Sequence, residues 1–270
     1  MKKRPRFILS ICSIALASPL VITWLPPAAD LGHFGAFFAG FQPEYLADLV
    51  SSFRQLALTL AATALFALCL ALGLGYLGIF APTAGRITSS ILDAVESVPA
   101  ILIALFCYAP VSGYLARHGE SSSQAVSLIV FIFAATAVVL PEAVRGITIP
   151  LGELYYRKYS LSFRSYGFRK SRILRILMRT KTMRGAISRV AAGILLKTLV
   201  LDTSFGFVIQ LGFGSYGTPA HQSPGALIAA NRDALFPGGN PILFWLPSLA
   251  IAAISLALVL ALGERKESAE

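Results

Sequence analysis

Charge is scarce in this chain: Asp, Glu, Lys and Arg make up 13% of its 270 residues, about half the share of an ordinary soluble domain. So few charges cannot clothe a soluble enzyme, and a hydrophobic share of 56% excludes intrinsic disorder. Cysteine is scarce as well. Cys12, Cys69 and Cys107 all lie inside apolar runs at unrelated spacings, so neither a disulfide framework nor a metal knuckle is indicated. His33, His118 and His221 stand far apart without nearby ligands, which leaves metal chemistry without support.

What the chain has in abundance is apolar sequence, with a mean hydropathy of +0.72. A bilayer core about 30 Å thick is crossed by roughly 20 apolar residues in a helix. Six runs meet that length, at about 7–25, 56–80, 95–115, 125–144, 186–211 and 242–263. The expected fold class is therefore an all-α integral membrane protein with six transmembrane helices. Residues 1–52 supply the first helix and an outer loop. Residues 53–270 supply a core of five helices, including a long loop at 151–189 between the fourth and fifth. The first run has a rival reading as a signal peptide, since it follows Lys2, Lys3, Arg4 and Arg6. It is long for that role and lacks a small-x-small site leading into a soluble domain, so an uncleaved helix is expected.

Basic residues orient the spans. With the N-terminus inside, nineteen Lys and Arg fall on the cytoplasmic side, and only Arg54, Arg117 and Arg232 fall outside. Both termini are expected in the cytoplasm. Eleven of the nineteen lie between Arg157 and Arg189, with Glu153 as the only acid in the 151–189 loop. The formal net charge of +10 is therefore largely local.

Three partners could use that loop. Nucleic acid ranks last, because a loop between spans offers no groove-fitting module. Anionic membrane lipid is the simplest, at about 1 kcal/mol per basic residue near the surface. A cytoplasmic protein partner fits the length better, since orientation needs only a few charges and near forty residues exceeds any helix connection. The stretch 159–178, YSLSFRSYGFRKSRILRILM, interleaves apolar and basic residues. Gly167 is the expected break between two short helices. Ile173, Leu174, Ile176, Leu177 and Met178 have the spacing of an amphipathic helix.

This loop resembles that of the permease subunits of bacterial binding-protein-dependent ABC importers, in the dipeptide/oligopeptide/nickel branch. Their loop reads tyrosine, a variable residue, Glu-Ala-Ala, three variable residues, glycine, then isoleucine six positions on. Here Tyr159, Gly167 and Ile173 keep the spacing, while Leu161, Ser162 and Phe163 replace Glu-Ala-Ala. Arg179 and Thr180 replace the family's closing Leu-Pro. Other segments follow in the same order: Arg86, Asp93 and Pro99 before the third run; Asp202, Ser204 and Phe207 in the fifth; Pro241 and Pro247 at the start of the sixth; and Leu262, Gly263 and Glu264 at its exit. The outer loop SPGALIAANRDALF is similar to the family's, without its tryptophan. The likeness spans about Phe53 to the C-terminus. The family's Gly-Thr-Asp…Gly-Arg-Asp motif is missing between Phe34 and Arg54.

The resemblance implies a non-enzymatic permease of the bacterial inner membrane, forming half of a pathway for peptides or a related small solute. It implies a second permease subunit, two cytoplasmic ATPase subunits that bind the ATP, and an extracytoplasmic solute-binding protein. No cofactor is implied in this chain. The coupling surface implied comprises Tyr159, Leu161, Ser162, Phe163, Arg164, Gly167, Arg169, Lys170, Arg172 and Ile173, with Arg164, Arg169, Lys170 and Arg172 supplying charge. The altered letters leave a second reading open: a degenerate permease-like protein with a structural or regulatory role, its loop bound to lipid or another partner.

Ionisable groups inside spans face a cavity or a partner. Lys197 and Asp202 share the fifth run but not one helix face. Asp202 is expected against a neighbouring helix or the pathway, and Lys197 is expected to snorkel toward the cytoplasm. Glu142 and Arg145 have the spacing of a local ion pair. Asp93 and Glu96 are placed at the start of the third helix, where its dipole favours acids. Pro99, Pro110, Pro141 and Pro247 are candidate kinks, and Gly73 and Gly75 candidate close contacts between helices.

Overall fold

Two X-Pro pairs cut the first half of the chain into helices. The computed structural model describes residues 43–118, 123–213, 223–236 and 242–267. Helix α1, Pro43–Phe80, ends at Ala81, which is extended ahead of Pro82. Pro82 then opens α2, Pro82–Glu96, at a position where its missing N–H costs nothing. Val98 precedes Pro99, and the proline ring disfavours helical backbone at the residue before it. After this break α3, Ala100–His118, departs at 90° to α2. The third apolar run is thus not one straight span from 95 to 115: its first residues belong to α2. The expected dipole role for Asp93 and Glu96 is overturned as well, because they sit in the last turn of α2, not at a helix start.

Helix α4, Ser123–Tyr156, is followed by two short helices, α5, Lys158–Ser165, and α6, Lys170–Met178. Helix α7, Lys181–Phe213, then leads to α8, Pro224–Ala230, a 3-10 turn at Arg232–Leu235, and α9, Ile242–Glu267. Thr180 caps α7, its hydroxyl accepting from the amide of Met183 at 3.3 Å. Helix α4 runs on to Tyr156 and α7 starts at Lys181, so the segment outside the long helices is 157–180, shorter than the expected 151–189. Every helix is α-helical or 3-10, and no strand occurs among the described residues.

Helices α1, α4, α7 and α9 are each long and apolar enough to cross a membrane, and α2 with α3 make a fifth if counted as one bent span. The run at 7–25 and Pro241 lie outside the described residues. Helices α1 and α4 run parallel, with Phe66 against Phe133 and, further along both, Gly75 against Ile147. Helices α1 and α9 start together, where the Tyr45 hydroxyl donates to the Leu243 carbonyl at 2.7 Å. Helix α3 runs antiparallel to α4, so the Ser127 hydroxyl near the start of α4 donates to that of Tyr108 at 3.0 Å. The ends of α1 and α4 and the starts of α3 and α7 therefore share one end of the bundle with α5 and α6, here called the hairpin end.

Three apolar clusters hold the bundle, and α7 contributes to all of them. At the hairpin end Val144, Ile147, Leu151 and Leu154 of α4 enclose α6 and the start of α7. In the middle Ala104, Phe131 and Phe205 join α3, α4 and α7. Alongside, Phe53, Leu56, Leu199 and Leu258 join α1, α7 and α9. Glycine sets the closest approaches. A Cβ on Gly75 would meet Ile147 at 2.8 Å, as expected of a packing glycine, whereas Gly73 faces open space and makes no such contact. A Cβ on Gly225 would collide with the Thr203 carbonyl, and one on Gly206 with Ser223, so α8 is pressed onto the middle of α7.

Candidate functional site: a basic helical hairpin

The hairpin is built by local rules that can be followed residue by residue. Helix α5 ends in a glycine cap. Gly167 adopts φ +76°, a left-handed backbone that other residues adopt at a cost. Its amide donates to Arg164 O at 2.9 Å, and the Phe168 amide reaches back to Phe163 O at 3.1 Å. Those bonds satisfy carbonyls that a helix end would otherwise leave open. The apolar contact that accompanies such caps is present too, with the Phe163 and Phe168 rings 5.6 Å apart, edge to face. The expected break at Gly167 is found.

Helix α6 divides its faces sharply. Ile173, Leu174 and Leu177 are fully buried, while Arg172, Arg175 and Arg179 are exposed. Burying each of the three apolar side chains contributes about 2 kcal/mol. Their partners are Leu151, Leu154 and Tyr155 at the end of α4 and Met183 at the start of α7. This apolar face is occupied by the protein itself, so α6 does not lie with that face in lipid.

Sequence groups Arg164 with the outward charges; the structure turns it inward. Its guanidinium carbon lies 3.9 Å from the centre of the Tyr155 ring, and it donates to the Tyr155 carbonyl at 3.2 Å. It clamps α5 onto the last turn of α4. Arg172 lies 4.9 Å above the Phe168 ring and stiffens the turn. Arg169, Lys170 and Arg175 are exposed, as are Leu161, Ser162 and Tyr166. Of Tyr159, only its place in α5 is described. Among the described residues, none of the cations from Arg157 to Arg189 is in a salt bridge. The hairpin thus presents uncompensated positive charge around a small apolar patch.

Next to the hairpin end, α4 and α7 frame an open groove of about 390 Å³. Its walls are largely apolar, with Ala143, Gly146, Gly193 and Ile194 among them, and it carries Glu142, Arg145, Arg189 and Lys197. The expected local pair of Glu142 with Arg145 is not formed. Glu142 pairs instead with Lys197 across the groove. Arg145 reaches α2, at 2.5 Å from Asp93 and 2.8 Å from Glu96. Two acids at a helix C-terminus oppose the dipole, and one arginine bridges both and reduces that cost. Lys197 thus has its partner on a different helix. No sequence spacing announces these pairs, because each joins residues of different helices.

Asp202 lies apart from both features. It is fully buried in α7, beside Thr203, whose carbonyl faces Gly225 of α8. That places it within the bundle, on a different face from the half-exposed Lys197. Among the described residues no cluster of metal-ligating side chains occurs. No protein-family model matches the chain, and no curated protein sequence matches it.

Proposed function

We propose that this chain is a transmembrane permease subunit of an ATP-driven importer, half of a pathway for peptides or a related small solute. The observation that carries the reading is the α5–α6 hairpin. Its apolar side is fixed to the ends of α4 and α7, while its polar, cationic side is open. A partner that moved the hairpin would move both long helices as a rigid body, the mechanics that coupling to a separate ATPase requires. The groove between α4 and α7, walled by small residues and bridged by Glu142 and Lys197, is the element such a movement would widen or close. In this reading the hairpin end faces the cytoplasm of a bacterial inner membrane, in keeping with the bias of Lys and Arg. Six spans, a second permease, two ATPase subunits and an extracytoplasmic binding protein complete the assembly.

The same unpaired cations favour a second reading, in which the hairpin binds anionic lipid and the chain has a structural or regulatory role. Affinity purification of the full chain from its own membranes separates the two. An ATP-hydrolysing subunit that co-purifies, with ATP-dependent uptake in reconstituted vesicles, supports the importer. Purified chain that carries only lipid, without uptake, supports the second.

A further inference from the structure

Helix α2 carries an exposed apolar stripe that the bundle does not use. At helical spacing its 15 residues divide into three faces. Gly85, Thr88, Leu92 and Val95 form the inner one, with Gly85 against Gly78 of α1 and Leu92 buried in the cluster at the hairpin end. Arg86, Ser90 and Asp93 form a polar face, and Asp93 is held by Arg145 of α4. Ile87 and Ile91 form the third, 64% and 59% exposed, so the described residues leave most of both side chains uncovered.

We propose that α2 is a membrane-surface helix, lying in the plane of the bilayer with Ile87 and Ile91 in the acyl–headgroup boundary of the lipid. Three observations choose lipid as the occupant. The helix meets α3 at 90°, so when α3 crosses the bilayer α2 runs along its surface. Helix α3 has 19 residues, about 28 Å of rise against a hydrocarbon core of about 30 Å, so most of the length needed for a crossing lies in α3. The helices before and after α2 expose large apolar side chains as well, Leu77 and Phe80 of α1 and Leu102 and Phe106 of α3. Segregated apolar and polar faces are what an interfacial helix needs. Arg145 pairs with Asp93 and Glu96, and Arg86 on the polar face supplies the second positive charge, so the two acids and two arginines balance and no net negative charge repels an anionic headgroup. The inference needs only that the long helices span a membrane, and it holds whether or not the chain is a transporter.

Site-directed spin labelling tests it. In a full-length chain with Cys12, Cys69 and Cys107 replaced by serine, single cysteines are placed at Ile87, Ile91, Arg86 and Ser90. Each is labelled with a nitroxide and reconstituted in vesicles of phosphatidylethanolamine and phosphatidylglycerol. Collision with oxygen, which concentrates in lipid, is compared with collision with a water-soluble nickel chelate. The proposal expects the labels at Ile87 and Ile91 to favour oxygen severalfold and those at Arg86 and Ser90 to favour nickel. Nickel dominance at Ile87 and Ile91 would overturn it, and so would protection of both from either reagent, the signature of a protein-covered face. Two positions per face, read separately, keep the test decisive if one label disturbs packing.

Discussion

The Arg164 guanidinium stacks on the Tyr155 ring, 3.9 Å from its centre, and donates to the carbonyl of the same residue. One side chain thus ties α5 to the last turn of α4 by both its face and its edge. A lysine keeps the charge but not the planar fork. Arg164→Ala is expected to loosen the hairpin by about 1–2 kcal/mol, the sum of a cation–π contact and a hydrogen bond. Arg164→Lys should recover only part. Hydrogen exchange of 158–178 measures it: faster exchange confined to this segment is the expected result.

Gly167 offers a cleaner case, since nothing lies near its missing side chain. Gly167→Ala therefore carries only the backbone cost of a left-handed residue, about 1–2 kcal/mol. Nicking by a protease between Ser165 and Lys170 should rise, while the long helices keep their protection.

The tightest helix contacts yield opposite outcomes for one chemical change. Gly225→Ala drives a methyl into the Thr203 carbonyl, and backbone cannot give way as a side chain would. A loss of about 3 kcal/mol is expected. Gly73→Ala meets nothing and gains helix propensity, up to about 1 kcal/mol. Thermal unfolding in lipid nanodiscs should move the two midpoints in opposite directions.

Glu142 and Lys197 form the bridge across the groove. Lys197→Glu and Glu142→Lys should each lower the unfolding midpoint, and the double exchange should restore most of the loss. A double-mutant cycle measures the coupling directly. A cycle with no coupling would remove the bridge from the account of how α4 and α7 are held.

Which parts were legible in sequence follows from the range of the forces involved. The hairpin was readable because its signals are local: a glycine at a helix end within interleaved apolar and basic residues, followed by an amphipathic turn. The long helices were readable as apolar runs. The break before α3 was also written locally, in Val98-Pro99, but hydropathy averaged over it and joined the end of α2 to the wrong span. Glu142 and Lys197 were visible as charges inside apolar runs and Arg145 as one just past the fourth run, while the pairs they form were not visible. Those partners come from helix packing, which brings Asp93 to Arg145 across 52 positions of sequence. Arg164 looked like its basic neighbours, and only the position of Tyr155 below it sets it apart.

If the exposed cations dock a protein, the association should weaken steeply with salt. Charges at a solvent-exposed contact are screened over about 8 Å at physiological ionic strength and about 3 Å at 1 M. Co-purification of an ATPase subunit is expected to survive low salt and to fall as salt is raised. Reversing Arg169 and Lys170 to Glu should mimic high salt without lowering the unfolding midpoint, since both are exposed and outside any salt bridge among the described residues.

The central claim is that the open side of the hairpin seats an ATP-hydrolysing partner. Photo-cross-linking tests it most directly, with benzophenone attached to single cysteines at Leu161 and Ser165, both exposed on α5, and at Phe66, exposed in the middle of α1, as control. The account predicts adducts with an ATPase subunit from the hairpin positions, changing in yield when ATP is added, and none from Phe66. Labelled chain in intact membranes that yields only lipid adducts at Leu161 and Ser165, with or without ATP, would contradict it.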